Sequence, residues 1–149
     1  MSKKELQDII IQIKLQGKMD FIPPATAAEI GAFEVENKIH LPIQYRDWLM
    51  YSDGGELFLP AGMQLHGVAH KPLIDVNDTD RPDNGYIVIG TLASGDPILS
   101  ENGGERILIY NHEAGKIEEA ETYPDFFTFI SSLDEILGIG GRFNVEQNI

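Results

Sequence analysis

The residues best suited to chemistry in this chain are its histidines. His66 and His70 are four residues apart, which is the spacing of helical zinc ligands. Gly67 lies between them, however, and no His-Glu-x-x-His pattern surrounds them. We therefore interpret both as ordinary loop histidines and expect no metal site.

Two clusters of acidic side chains offer a second kind of chemistry. The first contains Asp75, Asp78, Asp80 and Asp83, and the second contains Glu118, Glu119 and Glu121. The first cluster resembles a calcium loop, but it lacks the required glycine and a distal glutamate at the right spacing. A solvated face is the simpler interpretation. The functional one is a docking surface for a basic protein, because opposite charges speed encounter.

Aromatic side chains near a glycine turn could anchor such a partner. Tyr51 and Trp48 both precede Asp53-Gly54-Gly55. The helical spacing of Trp48 favours the core over an interface. Tyr51 is therefore predicted to bind the partner, in addition to the residues of the two acidic clusters.

Motifs for catalysis are incomplete throughout the chain. Ser94-Gly95-Asp96 lacks the glycine that precedes the serine of a nucleophile elbow. Asn102-Gly103-Gly104 lacks the lysine and hydroxyl residue of a phosphate loop. No carboxylate has a sequence neighbour that would set its pKa for acid–base work. We expect a non-enzymatic protein with no catalytic residue and no cofactor, although residues distant in sequence could still converge.

Length and charge narrow the class of protein further. With 149 residues, the chain is predicted to form one domain spanning 1–149. Its net charge of −13 repels nucleic acid and anionic membranes and attracts basic partners, although solubility alone could explain it. Cysteine is absent from the sequence, which suits a reducing compartment.

The N-terminal segment predicts a helix rather than a targeting signal. Lys3 and Lys4 precede an isoleucine run, but Lys14 and several glutamines interrupt the apolar stretch. One apolar stripe is formed by Leu6, Ile9, Ile10 and Ile13. No stretch reaches the ~20 apolar residues that span a bilayer. We expect a cytoplasmic protein without a membrane segment.

Two further helices joined by a bend are predicted before the glycine turn. Thr26 and Glu29 fit a capping box, and Asn37 is expected to end that helix in a left-handed conformation. Leu41-Pro42 is expected to begin the next helix, since proline suits the first turn. Its buried face is predicted to contain Tyr45, Trp48 and Leu49.

Beyond Gly55 the pattern changes to short strands separated by turns. Strands are predicted at 56–59, 63–66, 86–90, 98–99, 106–110 and 116–118, with a hairpin turn at 102–104. Residues 71–85 predict a surface loop or a frayed helix turn. Residues 126–137 predict a helix with one apolar face, followed by a loose tail at 138–149. This order indicates an α+β domain with a mostly antiparallel sheet wrapped by about four helices.

Several of these features together resemble the SUKH superfamily of Smi/Knr type. They are Leu41-Pro42, Tyr45 with Trp48-Leu49, Asp53-Gly54-Gly55, Ile87 to Gly90, Gly95-Asp96 and the aromatic helix from Phe126. The resemblance extends from about Thr26 to Leu137. It implies a sheet wrapped by helices, and it implies that Leu41, Pro42, Tyr45, Trp48, Gly54, Gly55 and Gly90 determine the fold.

The resemblance also implies two broad roles. Many bacterial members look like immunity proteins that bind and neutralise polymorphic toxins, often nucleases. Others act as regulatory interaction modules in the control of cell-wall synthesis. The chain lacks the long disordered flanks of the regulators, which favours immunity and a basic cognate toxin domain as partner. The identity of the toxin and the oligomeric state remain open at this stage.

Overall fold

The computed structural model describes residues 2–59, 62–75, 85–111 and 113–132. Its four helices are α1 (Ser2–Gln16), α2 (Ala27–Asn37), α3 (Ile43–Leu49) and α4 (Phe126–Ser131). Its seven strands are β1 (Lys18–Asp20), β2 (Gly55–Leu59), β3 (Met63–Leu65), β4 (Tyr86–Leu92), β5 (Pro97–Glu101), β6 (Ile107–Asn111) and β7 (Lys116–Tyr123).

The strands form one antiparallel sheet in which spatial order equals sequence order, from β1 to β7. Strand β4, which includes the strand predicted at 86–90, is the fourth of the seven. The turn predicted at 102–104 joins β5 to β6, which are neighbours in the sheet. The α+β class with a mostly antiparallel sheet is therefore confirmed.

Alternation along the strands separates the two faces of the sheet. Ile87 and Ile89 join the main core beneath the helices, whereas Val88 between them belongs to a smaller cluster on the other face. Leu99 and Leu108 complete that smaller cluster. All four helices contribute buried residues to the main core, which places the helix layer on one face of the sheet.

Helix α2 begins as the sequence predicts, but its left-handed residue comes one position later than predicted. The Thr26 hydroxyl accepts the Glu29 N–H, and the Glu29 carboxylate accepts the Thr26 N–H, which completes the capping box. The expected left-handed end at Asn37 is wrong. The Asn37 side chain donates to the Phe33 carbonyl and stays within the helix. Lys38 adopts the left-handed conformation instead, with φ of 56°.

Helix α3 begins at Ile43 rather than at Leu41-Pro42. Pro42 has an extended ψ of 141° and supplies no side-chain cap. A distant residue caps the helix instead. The two oxygens of the Glu105 carboxylate lie 3.0 and 3.1 Å from the Ile43 nitrogen and accept its N–H. The β5–β6 turn thereby fixes the start of α3.

Three elements near the ends of the chain differ from the prediction. Strand β1 was not predicted, and it pairs with β2 at the edge of the sheet. Strand β7 extends to Tyr123 rather than ending at 118. Helix α4 is described as far as Ser131, so the predicted extension to 137 and the tail at 138–149 lie outside the described residues.

The helix layer is held together by α1. It packs against both α3 and α4, with Leu6, Ile10 and Ile13 buried. None of the helices in the described ranges has the length and apolar character needed to cross a bilayer.

Candidate protein-binding site

The glycine turn after α3 is organised by a buried carboxylate. Asp53 is fully buried, and its oxygens accept the backbone N–H groups of Val68, Ala69 and His70 at 2.7–2.8 Å. Its Oδ2 also lies 2.9 Å from Nδ1 of His70. These four contacts tie α3 to the loop that follows β3 and satisfy the buried charge.

The backbone of the same turn is fixed by side chains on its other side. Trp48 is fully buried, and its Nε1 donates to the Gly54 carbonyl at 3.0 Å. The Ser52 hydroxyl donates to that carbonyl at 2.9 Å and accepts the Ile22 N–H at 3.1 Å. Gly54 has φ of 99°, and a Cβ there would lie 2.5 Å from the Leu65 carbonyl oxygen. The turn therefore requires glycine, and its hydrogen bonds are structural.

Tyr45 lies beneath this turn. Its hydroxyl donates to the His66 carbonyl, and its ring packs edge-on against Phe126 at 4.9 Å between centroids. Burial raises the pKa of the Tyr45 phenol well above its ordinary value, and the nearby negative charge of Asp53 raises it further. The phenol therefore remains neutral and serves packing rather than acid–base chemistry.

The two histidines are not brought together as ligands. His70 bonds to Asp53 through Nδ1, while the backbone N–H of His66 donates to the Ile89 carbonyl. Within the described parts of the chain, no group of three or more His, Asp or Glu side chains could hold a metal ion.

The remaining family-motif positions lie in the core. Leu41, Pro42, Gly55 and Gly90 are all buried. A Cβ at Gly90 would lie 2.5 Å from the Gln64 carbonyl oxygen, so glycine permits the close approach of β3 and β4. These positions determine the fold and present no surface to a ligand.

The first acidic cluster is described only at its beginning. Asp75 exchanges backbone hydrogen bonds with Val88 of β4 at 3.1 Å in both directions. Asp78, Asp80 and Asp83 lie outside the described residues.

The second acidic cluster lies on the edge strand β7. Glu121 is partly buried, and the side chains of Glu118 and Glu119 lie outside the described part. One row across the sheet contains Asp75, Val88, Leu99, Leu108 and Thr122. Four strand spacings therefore separate Asp75 from Thr122, or about 19 Å. Asp75 and the neighbouring Glu121 thus lie at separate places on the sheet.

Tyr51 lies on a groove between two helices. This α1–α3 groove is lined by Leu6, Gln7, Ile10, Asp47, Met50 and Tyr51, and its volume is about 270 Å³. Tyr51 is half-buried, and its ring contacts those of Phe21 and Trp48 at 5.1 and 5.9 Å between centroids. Those contacts hold the ring in place at the side of the groove.

Asp47 is the groove residue that the sequence analysis missed. One of its carboxylate oxygens, Oδ2, is enclosed and has no hydrogen-bond partner within the described structure. The periodicity of α3 places Asp47 roughly opposite the buried face of Tyr45 and Trp48, which predicts an exposed side chain. Residues of α1 line the same groove as Asp47, and no local sequence signal reports that arrangement.

Comparison with known proteins agrees with this architecture. A family model described as the SMI1 / KNR4 family (SUKH-1) matches residues 24–132. That region begins just before α2 and ends with α4, so it includes α3 and the glycine turn, while α1 precedes it. The search of curated proteins gave no match. Because the family model matches well over half of the chain, the chain belongs to the SMI1 / KNR4 family (SUKH-1).

Proposed function

We propose that this protein is an immunity protein that binds a basic toxin domain in the cytoplasm and blocks its activity. Family membership is the observation that carries the proposal. The net charge of −13 supports it, since an acidic surface attracts the basic face with which a nuclease would hold nucleic acid.

The use of the ionisable groups in the core supports binding rather than catalysis. Asp53 and Tyr45 are fully buried, and both hold the loop after β3 in place. Neither is among the residues that line the α1–α3 groove. The best-defined ionisable groups therefore maintain the shape of the protein.

The partner surface is expected to combine charge with an anchor. Exposed acidic side chains around the domain would speed encounter and make association slower at high salt. The α1–α3 groove supplies the well-packed concave surface in which an interface concentrates its binding energy. The toxin would lose its substrate because the inhibitor occupies the same basic face.

Protection of cells is the direct test of this function. The protein is co-expressed with the toxin domain encoded beside its gene, and survival and co-purification are scored. Survival with a stoichiometric complex is the expected result. Cell death despite good expression of the folded protein would contradict immunity. Co-purification of several unrelated endogenous proteins would favour a regulatory interaction module.

The two acidic clusters can be compared within the same complex. Changing Asp75, Asp78, Asp80 and Asp83 to Lys should slow association and weaken its dependence on salt. Changing Glu118, Glu119 and Glu121 to Lys is the matched control on another part of the sheet. Unchanged association after either set of changes would remove that cluster from the interface.

A further inference from the structure

We propose that the α1–α3 groove receives one arginine side chain of the protein partner, with the Asp47 carboxylate as its counter-ion and Tyr51 as its aromatic wall. The proposal rests on the proposed function, because it assigns the basic partner a contact on this chain. Three features of the groove support it.

The first feature is the unsatisfied oxygen of Asp47. Oδ2 is enclosed and accepts no hydrogen bond in the described structure. A buried charged group without hydrogen bonds is destabilising, and a cation placed beside Asp47 in the groove would offset the charge of its carboxylate. A guanidinium group carries five N–H donors in a rigid planar arrangement that matches a carboxylate.

The second feature is the composition of the walls. Leu6, Ile10 and Met50 are apolar, and Met50 is 42% exposed. Tyr51 adds an aromatic ring whose position its neighbours fix. The methylene groups of an arginine can pack on the apolar wall, and its planar head can stack on the ring. Lysine has no planar group for that contact, so arginine is the better fit.

The third feature is that the nearby cationic side chains of this chain interact with other residues. Arg46 adjoins Asp47 in sequence, but its Nε lies 3.8 Å from a carboxylate oxygen of Glu34 on α2. The Lys14 amino group lies 5.5 Å from the centre of the Phe21 ring. No Lys or Arg is among the described residues that line the groove. The negative charge of Asp47 is therefore available to a cation from outside the chain.

The test is an NMR titration of the isotopically labelled protein with N-acetyl-arginine amide. We expect saturable shifts of the amide signals of Gln7, Ile10, Asp47, Met50 and Tyr51. The probe N-acetyl-citrulline amide has nearly the same shape without the charge and should produce no such shifts. Saturation by citrulline amide, or equally tight binding of N-acetyl-lysine amide, would overturn the arginine assignment.

Variants locate the site. Asp47→Asn keeps the size of the side chain and should weaken arginine binding by at least about fivefold. Asp8→Asn is the control, because Asp8 is an exposed carboxylate of α1 that lines a separate groove on the other side of that helix. Tyr51→Leu should weaken binding independently of Asp47. Equal affinity of the wild type and the Asp47→Asn variant, or shifts centred on the Asp8 side, would refute the site.

The titration separates this proposal from the immunity function, because it requires no toxin. If arginine amide does not bind in the groove while cells are still protected, the groove assignment fails and the immunity function stands. If arginine amide binds as expected while cells die, the immunity function fails and the groove remains a site for arginine.

Discussion

Asp47 and Asp53 are six residues apart, yet the structure treats their carboxylates in opposite ways. Asp53 is fully buried, accepts three backbone hydrogen bonds and contacts His70. Asp47 lines a groove, and its enclosed Oδ2 receives no hydrogen bond within the described structure. Both are aspartates that follow a tyrosine by two residues, so residue type alone does not separate them.

The difference shows how an acidic residue becomes either part of the fold or available to a partner. The charge of Asp53 is compensated within the chain, and removing it would leave several donors without their acceptor. The charge of Asp47 is compensated by no described neighbour, so its best interaction is one that the free protein does not make. Four variants test this distinction, from the largest expected effect to the smallest.

Replacing Asp53 with Ala should give the largest effect. The variant removes a fully buried carboxylate and leaves three backbone N–H groups without their acceptor, so the free energy of unfolding should fall by about 3–5 kcal/mol. Urea denaturation followed by circular dichroism measures the change. Asp53→Asn retains one acceptor oxygen and should lose less. A loss below about 1 kcal/mol for the Ala variant would show that this carboxylate does not hold the turn.

Replacing Tyr45 with Phe tests the hydrogen bond and the raised pKa of its buried phenol. The hydrogen bond to the His66 carbonyl is lost, which should lower stability by about 1 kcal/mol at neutral pH. Because burial and the charge of Asp53 raise the pKa of Tyr45, the folded protein keeps the phenolic proton above pH 10.0, the ordinary value, while the unfolded chain loses it. Stability should therefore fall as pH rises past that value, by up to about 1.4 kcal/mol per pH unit from this group.

The Phe variant should lack that part of the alkaline loss, as denaturation curves between neutral pH and pH 11 would show. The other tyrosines are common to both proteins, so the wild type minus the variant isolates Tyr45. Parallel pH profiles for the two proteins would argue against the raised pKa.

Replacing Glu105 with Ala tests a third carboxylate that is engaged within the chain. Glu105 accepts the N–H of Ile43 and caps α3, so its loss should lower stability by about 1 kcal/mol. Glu113→Ala, at an exposed turn position, is the control and should change little. Equal melting temperatures for the wild type and Glu105→Ala would show that α3 does not depend on this cap.

Replacing Asp47 with Asn should have the smallest effect on stability. No described hydrogen bond is lost, and an enclosed charged oxygen is removed, so the free energy of unfolding should change by at most about 0.5 kcal/mol or should rise. Thermal denaturation beside the Asp53 variants gives the comparison. A loss as large as that of Asp53→Ala would place Asp47 among the residues that hold the fold.

The elements that the sequence predicted correctly are those specified by near neighbours in the chain. The capping box of Thr26 and Glu29 spans four residues, and the hairpin turn at 102–104 depends on glycines within it. The strand predicted at 86–90 forms the first part of β4, Tyr86–Leu92. Each of these signals can be recognised without knowledge of the rest of the fold.

The features that the sequence did not predict depend on distant contacts. The N-cap of α3 comes from Glu105, which is 62 residues away from Ile43. Strand β1 has three residues and little apolar pattern, and its pairing with β2 defines it. The groove that Asp47 lines is completed by α1, which precedes the region that the family model matches. The candidate site could therefore be located only from the three-dimensional structure.

The packing of α1 against α4 has a consequence for how the protein matures. The strands from β4 to β7 pair with their immediate successors, so they can form as soon as each has left the ribosome. Helix α1 is made first, but α4 follows the seven described strands, so α1 cannot complete its packing until α4 has been made. The α1–α3 groove is then complete only after the helix layer has assembled. A partner that binds there would distinguish assembled molecules from nascent ones.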